Sequence, residues 1–306
     1  MALSDIEARL IGLGCIPWDK SWIIRMGYLD FFRRKAGIFE FLEREKNNLS
    51  SDLESLSRVL TAWKNGGQDI DVGESATLYR FFIYHSWVAE DRKIFIKRGS
   101  LLSRPITDEP RKVINQKTKE LLLLDGGTSQ WASAAYLYRW LIYRAGMRIK
   151  NPPVKLKVTY DAIDHWLTQR RAGQYWEPRH DETILRQAVA VIDMLKTSKT
   201  AWRPEHSEDY CLARALGLMS RKDGEKLFSS VASHETNRFG EMEKVIADVK
   251  AGREIVSIDH RPIQAGVALQ LIQKREIKIK HPEAVGKSWP LPQFLKFVDF
   301  CQRADL

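Results

Sequence analysis

The stretch Pro17-Trp18-Asp19-Lys20-Ser21-Trp22-Ile23-Ile24-Arg25 puts a lysine, a serine and an arginine at the start of an apolar-periodic run. The first backbone N–H groups of a helix lack partners within it, and the helix dipole favours negative charge there. Lys20 and Ser21 beside those donors, with Arg25 one turn on, suit an anion. The pattern recurs outward along the chain. Gly73-Glu74-Ser75-Ala76-Thr77 opens a second such helix and leads to Arg80. Asp125-Gly126-Gly127-Thr128-Ser129-Gln130 opens a third, with two hydroxyls and an amide beside two glycines. Asp259-His260-Arg261 and Ala284-Val285-Gly286-Lys287-Ser288-Trp289-Pro290 are further cationic turns. Singly, each reads as a helix cap or a surface charge; together they predict a protein that holds small anions.

Helical spacing of apolar residues predicts helices over 22–43, 49–63, 75–87, 129–145, 183–195, 207–219, 234–250, 262–273 and 292–301. Strand-like segments are short: 94–97, 154–158, 254–258 and 276–280. Breaks are expected at Asn65-Gly66-Gly67, at Asn151-Pro152-Pro153 and over Thr197–Pro204, the last being the favoured hinge between domains.

Composition bounds the function. The 306 residues carry 49 basic and 39 acidic side chains, a net charge of +10, with 44% hydrophobic and 29% charged residues. That excludes a wholly disordered chain and fits one large or two ordinary globular domains, an ordinary one being roughly 150 residues. No apolar run approaches the ~18 residues of a membrane span. The opening Met1–Leu10 carries Asp5, Glu7 and Arg9 rather than the apolar stretch of a secretory leader. Cys15, Cys211 and Cys301 are widely spaced and form no CxxC, so a reduced, cytoplasmic protein is expected. The positive charge is spread along the chain, which favours a basic cleft over a nucleic-acid surface; Lys274–Lys280, alternating with Glu276 and isoleucines, reads as a solvated face. Gly286-Lys287-Ser288 lacks the upstream glycine of a phosphate-binding P-loop, because His281 stands there. The chain has no HExxH, GxSxG or GxGxxG, and its seven histidines show no ligand spacing, so a metal enzyme is not expected.

Taken in order, these segments resemble the 5-enolpyruvylshikimate-3-phosphate synthase (EPSP synthase) family. Its P-G-[DS]-K-S-x-S-x-R segment is matched by Pro17–Arg25, its G-N-A-G-T-x-x-R loop by Gly73–Arg80 and its R-P-I turn by Arg104-Pro105-Ile106. S-S-Q is matched by Thr128-Ser129-Gln130, H-x-x-D-A by His206–Tyr210 and K-E-[ST]-D-R by His234–Arg238. D-H-R is intact at Asp259–Arg261, and A-K-[ST]-F-P becomes Gly286–Pro290. The resemblance implies a two-domain α/β (α+β) fold of βαβαββ-type units, helix-rich here with trimmed β-hairpins because the chain is shorter than typical members. It implies one domain over 20–198, a discontinuous one over 1–19 and 199–306, and an active site in the cleft between them.

It also implies transfer of the enolpyruvyl group of phosphoenolpyruvate to the 5-hydroxyl of shikimate 3-phosphate, by addition then elimination without metal or organic cofactor, in a cytoplasmic, monomeric enzyme of aromatic amino acid biosynthesis. Residue by residue, Ser21, Arg25, Thr128, Ser129, Gln130, Tyr160 and His234 would bind shikimate 3-phosphate. Lys20, Ala76, Arg104, Gln130, Arg238, Arg261 and Lys287 would hold phosphoenolpyruvate. Lys20, Asp209 and Glu235 would be catalytic, Asp209 moving the hydroxyl proton and Glu235 protonating the methylene. The departures are Ala76 for a glycine that leaves room for glyphosate, Glu74 for an asparagine, His234 for a lysine and Trp18 for a glycine. They keep open a non-catalytic relative that binds an anionic metabolite or partner, and a transferase with another acceptor.

Overall fold

The computed structural model describes residues 4–104, 106, 128–143, 156–228 and 237–303. Its helices are α1 (Asp5–Gly12), α2 (Lys20–Phe32), α3 (Gly37–Arg44), α4 (Ser51–Lys64), α5 (Ala76–Val88), α6 (Thr128–Tyr143), α7 (Lys157–Arg171), α8 (Glu182–Thr197), α9 (Tyr210–Ala215), α10 (Arg221–Leu227), α11 (Arg238–Lys250), α12 (His260–Ile272) and α13 (Leu291–Arg303). Strands β1 (Asp69–Gly73) and β2 (Ile94–Lys97) pair in parallel. The protein is thus helix-rich with a small parallel sheet, within the α/β or α+β class. Among the described residues the remaining pairing is two isolated bridges, Trp18 with His180 and Ile255 with Ile279, less strand than complete βαβαββ units contain.

The residues divide into two compact units, Asp19–Arg179, and Met1–Trp18 with His180–Leu306. The second boundary therefore falls at 179/180, where sequence placed it after 198. The reason is α8, which packs on α1, α12 and α13 and so belongs to the discontinuous unit. Thr197–Pro204 is not a hinge but a turn inside that unit, where Thr200 Oγ1 donates to Asp193 Oδ2 at 3.2 Å.

In the continuous unit, α2 is buried from Trp22 through Asp30, as a helix surrounded by α3, α4, α6 and α7 must be. The expected 22–43 helix breaks after Phe32, because Arg34 takes φ +53° and Lys35 N–H closes the turn on Asp30 O at 2.8 Å. The Asp30 side chain then gathers three stretches of chain around itself. Its fully buried carboxylate accepts from Trp166 Nε1 (2.7 Å), Arg170 Nη2 (2.6 Å), Trp176 Nε1 (2.8 Å) and the Ile38 N–H (3.1 Å). Residue 37 is glycine of necessity, since a Cβ there would sit 2.8 Å from Asp30 Oδ2. Trp166 and Arg170 lie on α7, so the expected strand over 154–158 gives way to helix from Lys157; residues 151–155 lie outside the described residues.

Helix α5 joins β1 to β2 as a crossover. The register pairs Asp69 with Ile94, Ile70 with Phe95 and Asp71 with Ile96, then shifts so that Gly73 meets Lys97. Gly73 takes φ +57°, and a Cβ there would lie 2.5 Å from Ser55 Oγ. Behind α5, Tyr28 Oη and His85 Nδ1 share a hydrogen bond at 2.8 Å, and the His85 ring stacks on Phe32 at 3.6 Å. Burial pushes the His85 pKa down to about 3.

In the discontinuous unit, α12 is the enclosed helix, buried over Ala265–Leu271. It lies between Ile255 and Ile279, whose parallel bridge rests on Ile255 N–H to Lys278 O (2.9 Å) and Lys280 N–H to Ile255 O (3.0 Å). The strand-like segments 254–258 and 276–280 amount to that one bridge. Helix 207–219 shortens to a 3-10 turn, Ser207–Asp209, and α9.

Two stability outcomes are expected of these cores. Asp30→Ala strands two indoles and a guanidinium, and chemical denaturation should show a loss of about 3–5 kcal/mol; a loss below about 1 kcal/mol contradicts the hub. For His85 the native pKa lies below the unfolded value of 6.5, so the unfolded chain takes up the proton first as pH falls. Its contribution is complete above about pH 6.5 and declines by roughly 1 kcal/mol per pH unit toward pH 3. His85→Phe should flatten that decline in a series of denaturation curves, and a parallel decline in both proteins refutes it.

Candidate functional site: anion-suited helix starts in each unit

In the continuous unit, the start of α2 is capped by Asp19, whose carboxylate accepts from Trp22 N–H at 3.1 Å. Burial raises the Asp19 pKa against that bond and the Arg25 charge. Lys20 Nζ lies 2.7 Å from Asp52 Oδ2, and Ser21 is exposed. Arg25 is 5% exposed and meets neutral oxygens: Nε donates to Thr159 Oγ1 (2.9 Å), Nη1 to Ser21 O (2.8 Å) and Nη2 to Ser133 Oγ (3.4 Å). Thr159 Oγ1 donates in turn to Ser133 Oγ at 2.8 Å. Burial pulls the guanidinium pKa down to about 10, with Asp19 opposing.

The start of α5 faces α6. Ser75 caps α5 through the Leu78 N–H, and Ala76, its first residue, is buried. Gln130 bridges the two helices: Nε2 donates to Thr77 Oγ1 at 2.9 Å and Oε1 accepts from Arg80 Nη1. Thr128 and Ser129 form the first residues of α6. Tyr160 on α7 is 45% exposed and packs on Tyr136, ring centroids 4.2 Å apart. Burial, then Tyr160, raises the Tyr136 hydroxyl to about 12. Glu74 turns to Ser100 Oγ at 2.8 Å, and Arg104 is half-buried.

In the discontinuous unit, Asp259 caps α12 through the Arg261 N–H (3.1 Å) and receives Arg238 Nε at 2.6 Å. Burial opposes its ionisation, but His260, Arg238 and the Arg261 N–H outweigh burial and hold the carboxyl well below the usual range. Arg261 reaches Glu208, with Nη1 on the backbone O and Nη2 on Oε2, both at 3.2 Å. Both residues line a cavity of about 30 Å³ with Gln187, Gln264, Trp289 and Phe297. Asp209 is 1% exposed. Its Oδ1 accepts from Gln187 Nε2 (2.8 Å), and its Oδ2 from the N–H groups of Glu205 (2.9 Å) and His206 (3.1 Å). Lys287 ends a 3-10 turn, Pro282–Lys287, and the next residue but one, Trp289, is a core anchor donating to Cys15 O at 2.7 Å.

No family model, curated protein or solved structure matches the chain. Its function must therefore be argued from its own chemistry. Lys20, Ser21 and Arg25 come together on the first turns of α2, Ala76 and Gln130 at the facing starts of α5 and α6, and Arg238, Arg261 and Asp209 around the starts of α11, α12 and α9. His234 and Glu235 lie outside the described residues. Among the described residues no group of three or more His, Cys, Asp or Glu side chains is placed to hold a metal ion, and no helix is long and apolar enough to cross a membrane. Ser133 and Thr159, which complete the Arg25 pocket, carry no sequence signal, since isolated hydroxyls on helices usually bond the backbone. Glu208 is overshadowed in sequence by its neighbour Asp209.

The Asp209 geometry makes a distinct claim. A carboxylate that binds two backbone N–H groups and an amide holds the 205–209 turn in place. Asp209→Asn should lower stability by about 1–3 kcal/mol in thermal or chemical unfolding; unchanged stability contradicts the structural duty.

Proposed function

We propose that the chain transfers the enolpyruvyl group of phosphoenolpyruvate to the 5-hydroxyl of shikimate 3-phosphate, releasing phosphate. The observation that carries the reading is Arg25, a buried guanidinium hydrogen-bonded to neutral oxygens at the position where the resemblance requires a carboxylate binder. A buried cation costs several kcal/mol unless counter-charge is supplied; Asp19 supplies part of it against its own burial, and a ligand carboxylate would complete it. The eight collinear motifs, and the arginines at the starts of α11 and α12, support the same reading.

Addition starts when an acid, Glu235 by resemblance, protonates the methylene carbon of phosphoenolpyruvate. The acceptor hydroxyl oxygen then bonds to the central carbon as its proton passes to a base, Asp209 by resemblance, giving a tetrahedral adduct with a methyl group; the base later hands that proton to the departing phosphate. Elimination expels phosphate and returns one methyl proton to the protein, restoring the enol ether. Lys20, Arg104, Arg238, Arg261 and Lys287 offset the charge of phosphate and carboxylate. Arg25 and Ser21 hold the acceptor's carboxylate, Thr128, Ser129 and Gln130 its phosphate, and Tyr160 and His234 its ring side. Gln130 first exchanges its bonds with Arg80 and Thr77 for the ligand.

A second reading, binding without chemistry, draws on Asp209, whose oxygens already hold three N–H donors. One experiment separates them. Phosphate release with both substrates should be measurable in the wild type and fall at least about 100-fold in Arg25→Gln, the scale of a lost charge-assisted contact in the transition state. Binding of shikimate 3-phosphate without any phosphate release at high enzyme concentration would replace the transferase with the binder, and absence of binding would sink both.

A further inference from the structure

Helices α2 and α7 end close together, because the Asp30 carboxylate on α2 receives Arg170 Nη2 from α7 at 2.6 Å. Each exit is basic. Arg33-Arg34-Lys35-Ala36-Gly37 leaves α2 and Arg170-Arg171-Ala172-Gly173-Gln174-Tyr175 closes α7, with no acid in either stretch. Arg34, Lys35 and Arg171 are exposed, and among the described residues none of the three has an ion pair. Asp30 does not offset them, since it is fully buried and its charge is met by Arg170. Tyr175 joins the two exits: its Cδ1 lies 2.9 Å from where a Cβ on Gly37 would stand, and Arg170 Cζ is 5.4 Å from its ring centroid. The same guanidinium lies 5.6 Å from the Trp166 ring. Tyr175 is thus braced by its neighbours yet 57% exposed. The negative end of a helix accounts for cations in its last turn, such as Arg170 and Arg171. It does not account for Arg34 and Lys35, which lie beyond α2, or for an exposed ring beside them.

We propose that these two helix ends bind single-stranded nucleic acid, with a base stacked on Tyr175 and neighbouring phosphates paired with Arg34, Lys35 and Arg171. Such binding does not depend on the transferase reading. Exposed cations attract any polyanion, so charge alone does not choose the partner. The ring does. Every base has a π-face, but in a duplex those faces are stacked on one another, and an unpaired strand is free to lay one on a tyrosine. Arg170, itself fixed by Asp30, holds the ring in place before the strand arrives, so little freedom is lost on stacking. The phosphate contacts make binding salt-sensitive, each adding about 0.7 to the slope of log affinity against log salt.

The test is fluorescence anisotropy of a labelled oligothymidine strand titrated with the full chain at low salt. Tyr175→Leu should weaken binding at least about fivefold, the loss of one base stack, while Tyr175→Phe stays within about twofold of the wild type. Arg34→Gln combined with Lys35→Gln should make the salt slope shallower by about 1.4. Lys274→Gln combined with Lys280→Gln removes the same charge from exposed positions of the discontinuous unit and should match the wild type. The corresponding duplex should bind at least about fivefold more weakly than the strand. No binding of the strand, equal binding of strand and duplex, or equal losses in the Lys274/Lys280 and Arg34/Lys35 variants overturns the proposal. Binding to phosphatidylserine vesicles that the same variants abolish, without binding of the strand, overturns it in favour of a membrane surface.

Discussion

A carboxylate shut away from water must find donors for its lone pairs, and the four N–H groups around Asp30 come from three separate stretches of chain. This one requirement ties α2 to α3, to α7 and to the Trp176 loop. It determines that residue 37 is glycine and sets where the first long helical run must end. The pocket around Arg25 depends on it, because Thr159 lies on the same helix as Trp166 and Arg170. Loss of the Asp30 anchor would therefore loosen α7 and with it the Thr159 hydroxyl that accepts from Arg25.

Helix α2 holds two buried charges with opposite fates. Asp30 is saturated by strong donors, among them a guanidinium. Arg25, a turn and a half earlier, has hydroxyls and a carbonyl for partners and a pKa drawn down to about 10 by burial. The first arrangement serves the framework; the second is the one that the proposed function assigns to a ligand carboxylate. The discontinuous unit holds Arg238 on the buried Asp259 and Arg261 on the partly exposed Glu208.

Most helices were legible from the spacing of their apolar residues, which in α4, α8 and α13 recur on one face. Helix α7 was missed: its buried Thr159, Ile163 and Trp166 are interleaved with Asp161, Asp164 and His165, which dilute the pattern. Strand β1 was missed because Asp69 and Asp71 are poor strand formers; Asp71 is there to accept from the Gly73 N–H and Arg98. The domain boundary was misplaced because the polar Thr197–Pro204 run looks like a linker, whereas the true crossovers are the short antiparallel pair at Trp18 and His180. The anion-suited helix starts were legible from residue type and capping. What each side chain touches was not: nothing in sequence separates Arg238 on its buried carboxylate from Arg261 on a partly exposed one, or reveals that Asp209 serves its own turn.

Addition followed by elimination leaves a chemical trace that binding alone cannot. The methylene of phosphoenolpyruvate becomes a methyl group in the adduct and loses one of three equivalent hydrogens on collapse. Proton NMR of phosphoenolpyruvate and shikimate 3-phosphate with the protein in deuterated water is the most direct measurement. The account predicts new enol ether vinyl signals weakened by deuterium at the methylene, dependent on both substrates. Vinyl signals of phosphoenolpyruvate that persist unchanged, or a product free of deuterium, would contradict it.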